Sequence, residues 1–256
     1  MTATILAAID DSAAAQPVLA TALAVGAVFD AGVQALHVYP GHDGHTTQAT
    51  AEALNVPLHR VPGDPFEQIA NMADDDDVVA LVLGARARPT GRRPAGHLAL
   101  ALARVITKPV VLVPPDAATP AQLRRVLIAM KGTPRNSRDM LRTIELGASA
   151  DLELIVVHVD DEQSIPSFSD QVHYETQAYA NEFLARYCVG APEARLVLRI
   201  GIPVDEILMT ADDVEPDMLA IGYPHTDDPG RGEVAREIIN RSRVPVLLVA
   251  VTDRRV

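Results

Sequence analysis

The stretch Ile5-Leu6-Ala7-Ala8-Ile9-Asp10 decides the fold. Its pattern recurs 121 residues later as Val126-Leu127-Ile128-Ala129-Met130-Lys131, with Lys131 at the position that matches Asp10. Each stretch is a short, continuous apolar run that ends in a charged residue. Such runs are typical of strands buried on both faces of a parallel sheet. The repeat predicts two copies of one structural unit in the chain.

Four further segments recur in the same order, which extends the repeat over nearly the whole chain. They pair Leu36-His37-Val38 with Val157-His158-Val159, Gly63–Ile69 with Gly201–Ile207, Leu81–Gly84 with Leu219–Gly222, and Pro109–Val113 with Pro245–Val249. A Pro-containing stretch at 114–120 interrupts the pattern as a linker does. We therefore predict one domain over residues 1–116 and a second over 117–256.

Within each copy, short apolar runs alternate with helical patterns. In the first copy we predict strands near 4–10, 33–39, 58–61, 79–84 and 109–113, and helices near 13–29, 47–54, 65–74 and 97–107. Alternating strands and helices imply right-handed crossovers and a parallel sheet covered on both faces. The predicted fold class is α/β, with two tandem doubly wound, Rossmann-like domains. In the second copy a helix from about 170 to 188 carries apolar anchors that we interpret as packing residues: Val172, Tyr179, Phe183 and Tyr187.

Composition excludes several classes of function. The formal charge of −12 argues against binding to nucleic acid or to an anionic membrane surface. The one cysteine, Cys188, cannot form an internal disulfide, which favours a reducing compartment. No signal peptide and no apolar stretch long enough to span a membrane are recognised. The expectation is a cytoplasmic protein.

In an open parallel sheet, ligands bind beyond the carboxyl ends of the strands, where the strand order reverses. Asp10 and Gly84 end the first and fourth strands of the first copy, and Lys131 and Gly222 do so in the second. After Gly84 comes a Gly-containing loop, residues 85–96, with four arginines: Arg86, Arg88, Arg92 and Arg93. Two interpretations stay open: an anion cradle at a helix N-terminus, or a solvated surface loop.

The order of these motifs resembles the universal stress protein family: a strand ending in Asp, Gly-x-Pro before a helix, a strand ending in Gly, a Gly-containing loop and a final Pro-Val strand. The resemblance covers nearly the whole chain as two tandem domains. It implies a doubly wound five-stranded fold and pairing of the two domains as an internal pseudo-dimer. In members that bind ATP, an Asp ends the first strand and the phosphate loop is Gly-x2-Gly-x9-Gly-Ser/Thr.

The first copy keeps Asp10, Gly84 and Gly96 of that pattern. Ala87 stands where the second Gly is expected, the loop is one residue shorter, and His97 replaces Ser/Thr. The resemblance thus implies a site for ATP or another adenine nucleotide. Asp10 would lie on the base or ribose side and Val38 near the base, with the phosphates near Gly84, Arg86, Gly96 and His97. No metal is predicted.

The second copy departs further from the pattern. Lys131 replaces the strand-ending Asp, and the loop after Gly222 is short and acidic, with Asp227, Asp228 and Glu233. Carboxylates repel a triphosphate at close range. We expect no ordinary ATP site in the second copy. As an alternative, Lys131 would form an ion pair with Asp227 or Asp228 in the place that a ligand would otherwise occupy.

Other polar groups have simpler interpretations. The run Asp74–Asp77 is typical of a solvated turn, and His42 with His45 lacks further metal ligands. Asp11 or Ser12 is expected to cap the following helix. His37 and His158, at matched positions, are expected to be structural, with lining of the ligand cleft as the alternative.

Three functional hypotheses follow. The leading one is a stress-protein-like regulator or sensor without turnover, with a nucleotide in the first domain. The second is an interaction protein that binds no nucleotide and acts through protein contacts, with further homodimerisation of the chain left open. The third is slow ATP hydrolysis or phosphoryl transfer, which lacks a convincing set of metal ligands.

Overall fold

The computed structural model describes residues 3–39, 46–85, 96–118, 120–160, 177–224 and 232–251. The first half contains β1 (Thr4–Ile9), α1 (Ala15–Phe29), β2 (Gly32–Tyr39), α2 (Thr46–Ala53), β3 (Leu58–Pro62), α3 (Pro65–Asp74), β4 (Val78–Gly84), α4 (His97–Val105) and β5 (Val110–Val113). The second half contains β6 (Arg125–Ala129), α5 (Pro134–Ser149), β7 (Glu153–Asp160), α6 (Gln177–Tyr187), β8 (Arg195–Ile200), α7 (Pro203–Val214), β9 (Met218–Pro224), α8 (Glu233–Arg241) and β10 (Val246–Val251). The predicted alternation is confirmed, with boundaries shifted by one or two residues.

In the described part of the chain the strands form one ten-stranded sheet in the order β3-β2-β1-β4-β5-β10-β9-β6-β7-β8. Strands pair in parallel within each half. The halves meet where β5 and β10 pair antiparallel, with Leu112 opposite Val246 and Val110 opposite Leu248. The two predicted five-stranded sheets are therefore continuous with each other. Because β5 and β10 run in opposite directions, the carboxyl ends of the two halves' strands point to opposite edges.

Helices cover both faces of this sheet, and each face has one apolar core that runs through both halves. The core on the side of α1 and α5 includes Ile5, Ile128 and Val249. The core on the side of α4 and α8 includes Leu6 and Leu248. Alternate residues of a strand point to opposite faces, so the continuous apolar runs of β1 and β10 supply both cores. This double coverage confirms the doubly wound fold class.

Helix starts show how local sequence sets the elements. Pro65 and Pro203 occupy the first turns of α3 and α7, where the missing N–H costs nothing. The Asp64 carboxylate accepts the Glu67 N–H at 3.1 Å and caps α3. In the second half, α6 begins at Gln177, and the predicted helical residues 170–176 lie outside the described ranges.

The expected cap at the start of α1 comes from Ser12. Its hydroxyl oxygen accepts the Ala14 N–H at 3.2 Å, as an N-cap side chain does. Ala14, directly before the helix, already has helical backbone angles. The same hydroxyl donates its proton to Asp10. Asp11 instead accepts the Thr47 N–H of α2 at 3.4 Å and does not cap α1.

Candidate functional site

The strand order of the first half reverses between β1 and β4, which are adjacent and parallel. Ala8 lies opposite Leu83 in this pair, so Asp10 and Gly84 follow at the same edge of the sheet. Both residues therefore lie at the point where open α/β sheets bind ligands. The sequence predicted that each residue ends its strand, and the parallel pairing of β1 with β4 puts the two strand ends side by side.

Asp10 is exposed at this edge. One oxygen of its carboxylate accepts the Ser12 backbone N–H at 3.0 Å and also the Ser12 hydroxyl. These bonds hold the carboxylate close to the backbone of its own loop. Val38 lies one strand further out, near the carboxyl end of β2, and packs partly buried against the core on the α4 side.

The base of the predicted phosphate loop is closed by backbone hydrogen bonds. Gly96 donates its N–H to the Ala85 carbonyl at 2.7 Å, and Ala85 donates to the Val113 carbonyl at 2.8 Å. This pairing places the N-terminus of α4 beside the carboxyl end of β4. His97 is the first residue of α4 and is exposed. A helix N-terminus in this position presents unpaired N–H groups and a positive dipole end. Arg86, like the other arginines of the loop and Ala87, lies outside the described residues.

The matching place in the second half is filled by the protein itself. The Asn136 side chain accepts the Lys131 backbone N–H at 2.9 Å, at the carboxyl end of β6. A Cβ added to Gly222 of the neighbouring β9 would lie 3.2 Å from Asn136 Nδ2 and 2.7 Å from Val251 Cγ2. Asn136 therefore spans the ends of β6 and β9, where the first half has the methyl group of Ala15 at the matching position.

Sequence reasoning missed Asn136. The available signal was that Asn136 stands, at the repeat offset of 121 residues, where the first copy has Ala15. Asp227 and Asp228, the alternative partners predicted for Lys131, lie outside the described residues, as does most of the acidic loop. Lys131 itself is exposed.

The two matched histidines make the same structural contact, as expected. His37 Nδ1 lies 3.2 Å from the Ile9 carbonyl, and His158 Nδ1 lies 2.9 Å from the Met130 carbonyl. Both rings are buried. Each therefore ties the second strand of its half to the end of the first strand, directly before Asp10 or Lys131.

The aromatic residues predicted to pack in the second half do so. Phe183 is buried, and Tyr179 and Tyr187 pack partly buried against the same core. The Phe183 and His158 rings lie 4.9 Å apart. A Cβ at Gly132, which has φ +63°, would lie 2.8 Å from the Phe183 ring, so this aromatic group closes the loop after β6. Val172 lies outside the described residues.

Cys188 is buried, with its sulfur 3.5 Å from the Met130 sulfur. Burial raises the pKa of the Cys188 thiol from 9.0 to about 11, because the interior disfavours the thiolate. A protonated, buried thiol is a poor nucleophile and a poor metal ligand.

The acidic run at the end of α3 forms a turn: the helix ends at Asp74 and Asp75 caps it. Lys108 donates a hydrogen bond to the Asp75 carbonyl. Among the described residues no group of three or more His, Cys, Asp or Glu side chains could together hold a metal ion. His42 and His45 are outside those ranges. None of the described helices is long and apolar enough to cross a membrane.

The geometry defines a tandem, doubly wound α/β protein in which the Asn136 side chain occupies the strand-end cleft of the second half. A family model described as "Universal stress protein family" matches residues 42–114 and 122–250. The chain therefore belongs to the universal stress protein family. The proposed division at 116/117 stays a prediction.

Solved structures share this fold over nearly the full length. A functionally unknown protein from Pseudomonas aeruginosa PAO1 is 15% identical, with a TM-score of 0.74, over 98% of this chain and 94% of that one. A universal stress protein from Archaeoglobus fulgidus DSM 4304 is 15% identical, with a TM-score of 0.69, over 97% and 98%. A putative universal stress protein from Pseudomonas aeruginosa UCBPP-PA14 is 16% identical, with a TM-score of 0.68, over 97% and 93%. None of the curated proteins matches the sequence.

Proposed function

We propose that this protein is a regulator or sensor without turnover that binds an adenine nucleotide, ATP foremost, in its first half. The observation that carries the proposal is the contrast between the two strand-end clefts. In the first half, Asp10 is exposed at the switch point and position 15 is an alanine. In the second half, Asn136 and Val251 fill the matching space.

The described residues of the first cleft offer complementary groups for a nucleotide. The Asp10 carboxylate can accept hydrogen bonds from ribose hydroxyls or a base amino group. The N-terminus of α4 lies beside Gly84 and Gly96 and can stabilise phosphate charge. His97, exposed at the first position of α4, can donate to a phosphate oxygen. Arg86 is proposed to add positive charge from the loop.

A role without turnover fits the same residues. Phosphoryl transfer needs positioned metal ions and cationic groups around the transferred phosphate. The described carboxylates of the loop after β1 are Asp10 and Asp11, and among the described residues no group of three or more His, Cys, Asp or Glu side chains could hold a metal ion. Nucleotide binding would instead act on the sheet junction, because both apolar cores continue from one half into the other.

The test is calorimetric titration of ATP, ADP and AMP into nucleotide-stripped full-length protein. We expect one site per chain with a dissociation constant in the micromolar range, and at least about tenfold weaker binding in Asp10→Ala, equal to about 1.4 kcal/mol. Lys131→Ala changes the matching position of the filled half and should bind as the wild type does. Phosphate release, measured in parallel, should stay at background.

Absence of heat and of a thermal shift with all three nucleotides would overturn the proposal in favour of the hypothesis that the protein acts through protein contacts alone. Steady-state ATP turnover that Asp10→Ala abolishes would instead establish the enzymatic alternative. Equal weakening by Asp10→Ala and Lys131→Ala would place the ligand elsewhere.

A further inference from the structure

A cavity of about 50 Å³ lies between α1 and α5, over the strands where the two halves join; we call it the α1–α5 cavity. Its floor includes buried residues from strands of both halves: Ala80, Val111, Met218 and Leu247. Val111 lies in β5 and Leu247 in β10, and these two strands form the antiparallel pair at the junction. The α1–α5 cavity is therefore built by both halves together.

The walls of the cavity come from the two helices. α1 contributes Val25, Val28 and Phe29, and α5 contributes Thr143 and Leu146. Val25 is buried, whereas the other four residues are half-buried. The cavity thus extends from the buried floor to the protein surface between α1 and α5. Asp10 and Gly84 do not line it, so it is separate from the candidate nucleotide cleft.

On the floor, Ala80 is the lining residue with the smallest side chain. It stands in β4 at the position that Met218 has in β9, 138 residues later, from 80 to 218. The first half thus presents a methyl group where the second half presents a long side chain. Protein interiors are close-packed, with few voids larger than a water molecule, and ligand pockets occur preferentially at domain interfaces. A cavity at the junction of the halves fits the second description.

The chemistry of the lining favours an apolar occupant. Thr143 contributes the one polar side chain among the described residues that line the cavity. A water molecule in a cavity needs two to four polar partners, which this lining does not supply. Apolar surface of an occupant would leave water and contact apolar side chains on the floor and on both walls.

The size of the cavity selects the shape of the occupant. Dry apolar cavities of about 150 Å³ accept a benzene ring, and the α1–α5 cavity has about a third of that volume. It therefore excludes a ring and admits the end of an unbranched alkyl chain. The half-buried side chains of Val28, Phe29 and Leu146 would cover the next carbons of the chain where it leaves the cavity.

We propose that the α1–α5 cavity binds the chain end of a free, single-chain alkyl amphiphile with an uncharged head group. The formal charge of −12 disfavours an anionic head group at the mouth. Because burial of apolar surface drives this binding, each methylene that enters should strengthen it about fourfold. The chain would contact both halves at once and stabilise their junction.

The test is a titration of full-length protein, labelled with ¹³C at its methionine methyl groups, with 1-butanol, 1-hexanol and 1-octanol. Met218 lines the cavity, and its signal, assigned with Met218→Leu, should move saturably. The signal of Met209, exposed on α7, should stay in place. The affinity should rise about fourfold per methylene until the chain fills the cavity. Cyclohexanol, a ring with as many carbons as 1-hexanol, should not shift Met218 at the same concentration.

Variants that fill the cavity provide the second readout. Ala80→Val adds carbon to the floor and should weaken 1-octanol binding at least about fivefold. Ala35→Val makes the same change at a fully buried alanine of the same core that does not line the cavity. This control should bind 1-octanol as the wild type does, and its melting temperature should fall because added carbon overpacks a filled site. Thr143→Leu narrows the cavity from α5 at a half-buried helical position, so it decides the outcome should Ala80→Val fail to fold.

Absence of a saturable Met218 shift in the wild type overturns the proposal. So do equal movement of the Met209 signal, equal binding of cyclohexanol, and wild-type affinity for 1-octanol in both filling variants. Flotation with neutral phosphatidylcholine vesicles separates a free chain from a bilayer: the protein should stay unbound, and co-flotation would overturn the assignment to a free amphiphile.

Discussion

The Asn136 side-chain oxygen accepts the backbone N–H of Lys131 at 2.9 Å. This bond fills the end of β6 in the second half, where the first half has Ala15 at the matching position, although both halves have the same strand order. The first turn of α5 thus carries a polar side chain that is absent at the matching position of the first half. The consequence for stability can be measured in the unliganded protein.

Removal of this side chain should destabilise the fold. Asn136→Ala leaves the partly buried Lys131 N–H without its acceptor, and we expect a loss of about 1–2 kcal/mol in the free energy of unfolding. Ser149→Ala, in the last turn of the same helix, removes an exposed hydroxyl that donates to the Leu146 carbonyl and should cost less than about 0.5 kcal/mol. Urea denaturation of both variants compares them; equal stabilities would contradict a structural role for Asn136.

A methyl group at Gly222 should be poorly tolerated. Its Cβ would lie 2.7 Å from Val251 Cγ2, which forces a shift that we expect to cost about 1–3 kcal/mol. In Gly32→Ala the added Cβ meets its nearest atom, the Ala3 carbonyl oxygen, at 3.9 Å, so stability should stay near that of the wild type or rise slightly.

Adding Val251→Ala tests the cause of the Gly222 effect. Without Val251 Cγ2 the clash is removed, so the double variant should be less destabilised than the sum of the single changes. Full additivity in thermal or urea unfolding would show that Val251 does not limit the space at Gly222.

Cys188 should be unreactive and should make stability fall at alkaline pH. Its pKa is raised to about 11 in the folded protein; above about pH 9 the unfolded chain loses the thiol proton while the folded protein keeps it. The free energy of unfolding therefore decreases between about pH 9 and pH 11, and is unaffected by this group below that range.

Two measurements check this prediction. At pH 8 a thiol reagent should modify Cys188 only in denaturant, and a fast reaction of the native protein would contradict its burial. In Cys188→Ala, the loss of stability between about pH 9 and pH 11 should be smaller than in the wild type, because one group that titrates differently on unfolding is gone.

Much of the fold could be predicted from the sequence because its signals are local. Continuous apolar runs such as Val79–Leu83 specify strands buried on both faces, and Pro65 and Pro203 mark helix starts. The repeat added the tandem arrangement. Of the two residues expected to cap α1, Ser12 accepts the Ala14 N–H, whereas Asp11 accepts the Thr47 N–H of α2; only the folded chain decides between them.

The candidate nucleotide site could be predicted in part. Asp10 and Gly84 were placed at the switch point because parallel strands bring their carboxyl ends to one edge. The filling of the second cleft could not be predicted, because it depends on the rotamer of Asn136 and on Val251, which is more than one hundred residues away along the chain.

The sequence by itself determined the class of fold, the duplication and the edge of each half at which a ligand could bind, because periodicity and strand ends are properties of neighbouring residues. Only the tertiary structure decided which polar groups are satisfied. Asp11 and His37 are distant in sequence and meet across β1 and β2, and the antiparallel pairing of β5 with β10 joins the halves. Burial and hydrogen-bond pairing are set by side chains that converge in space, and a linear pattern does not contain that information.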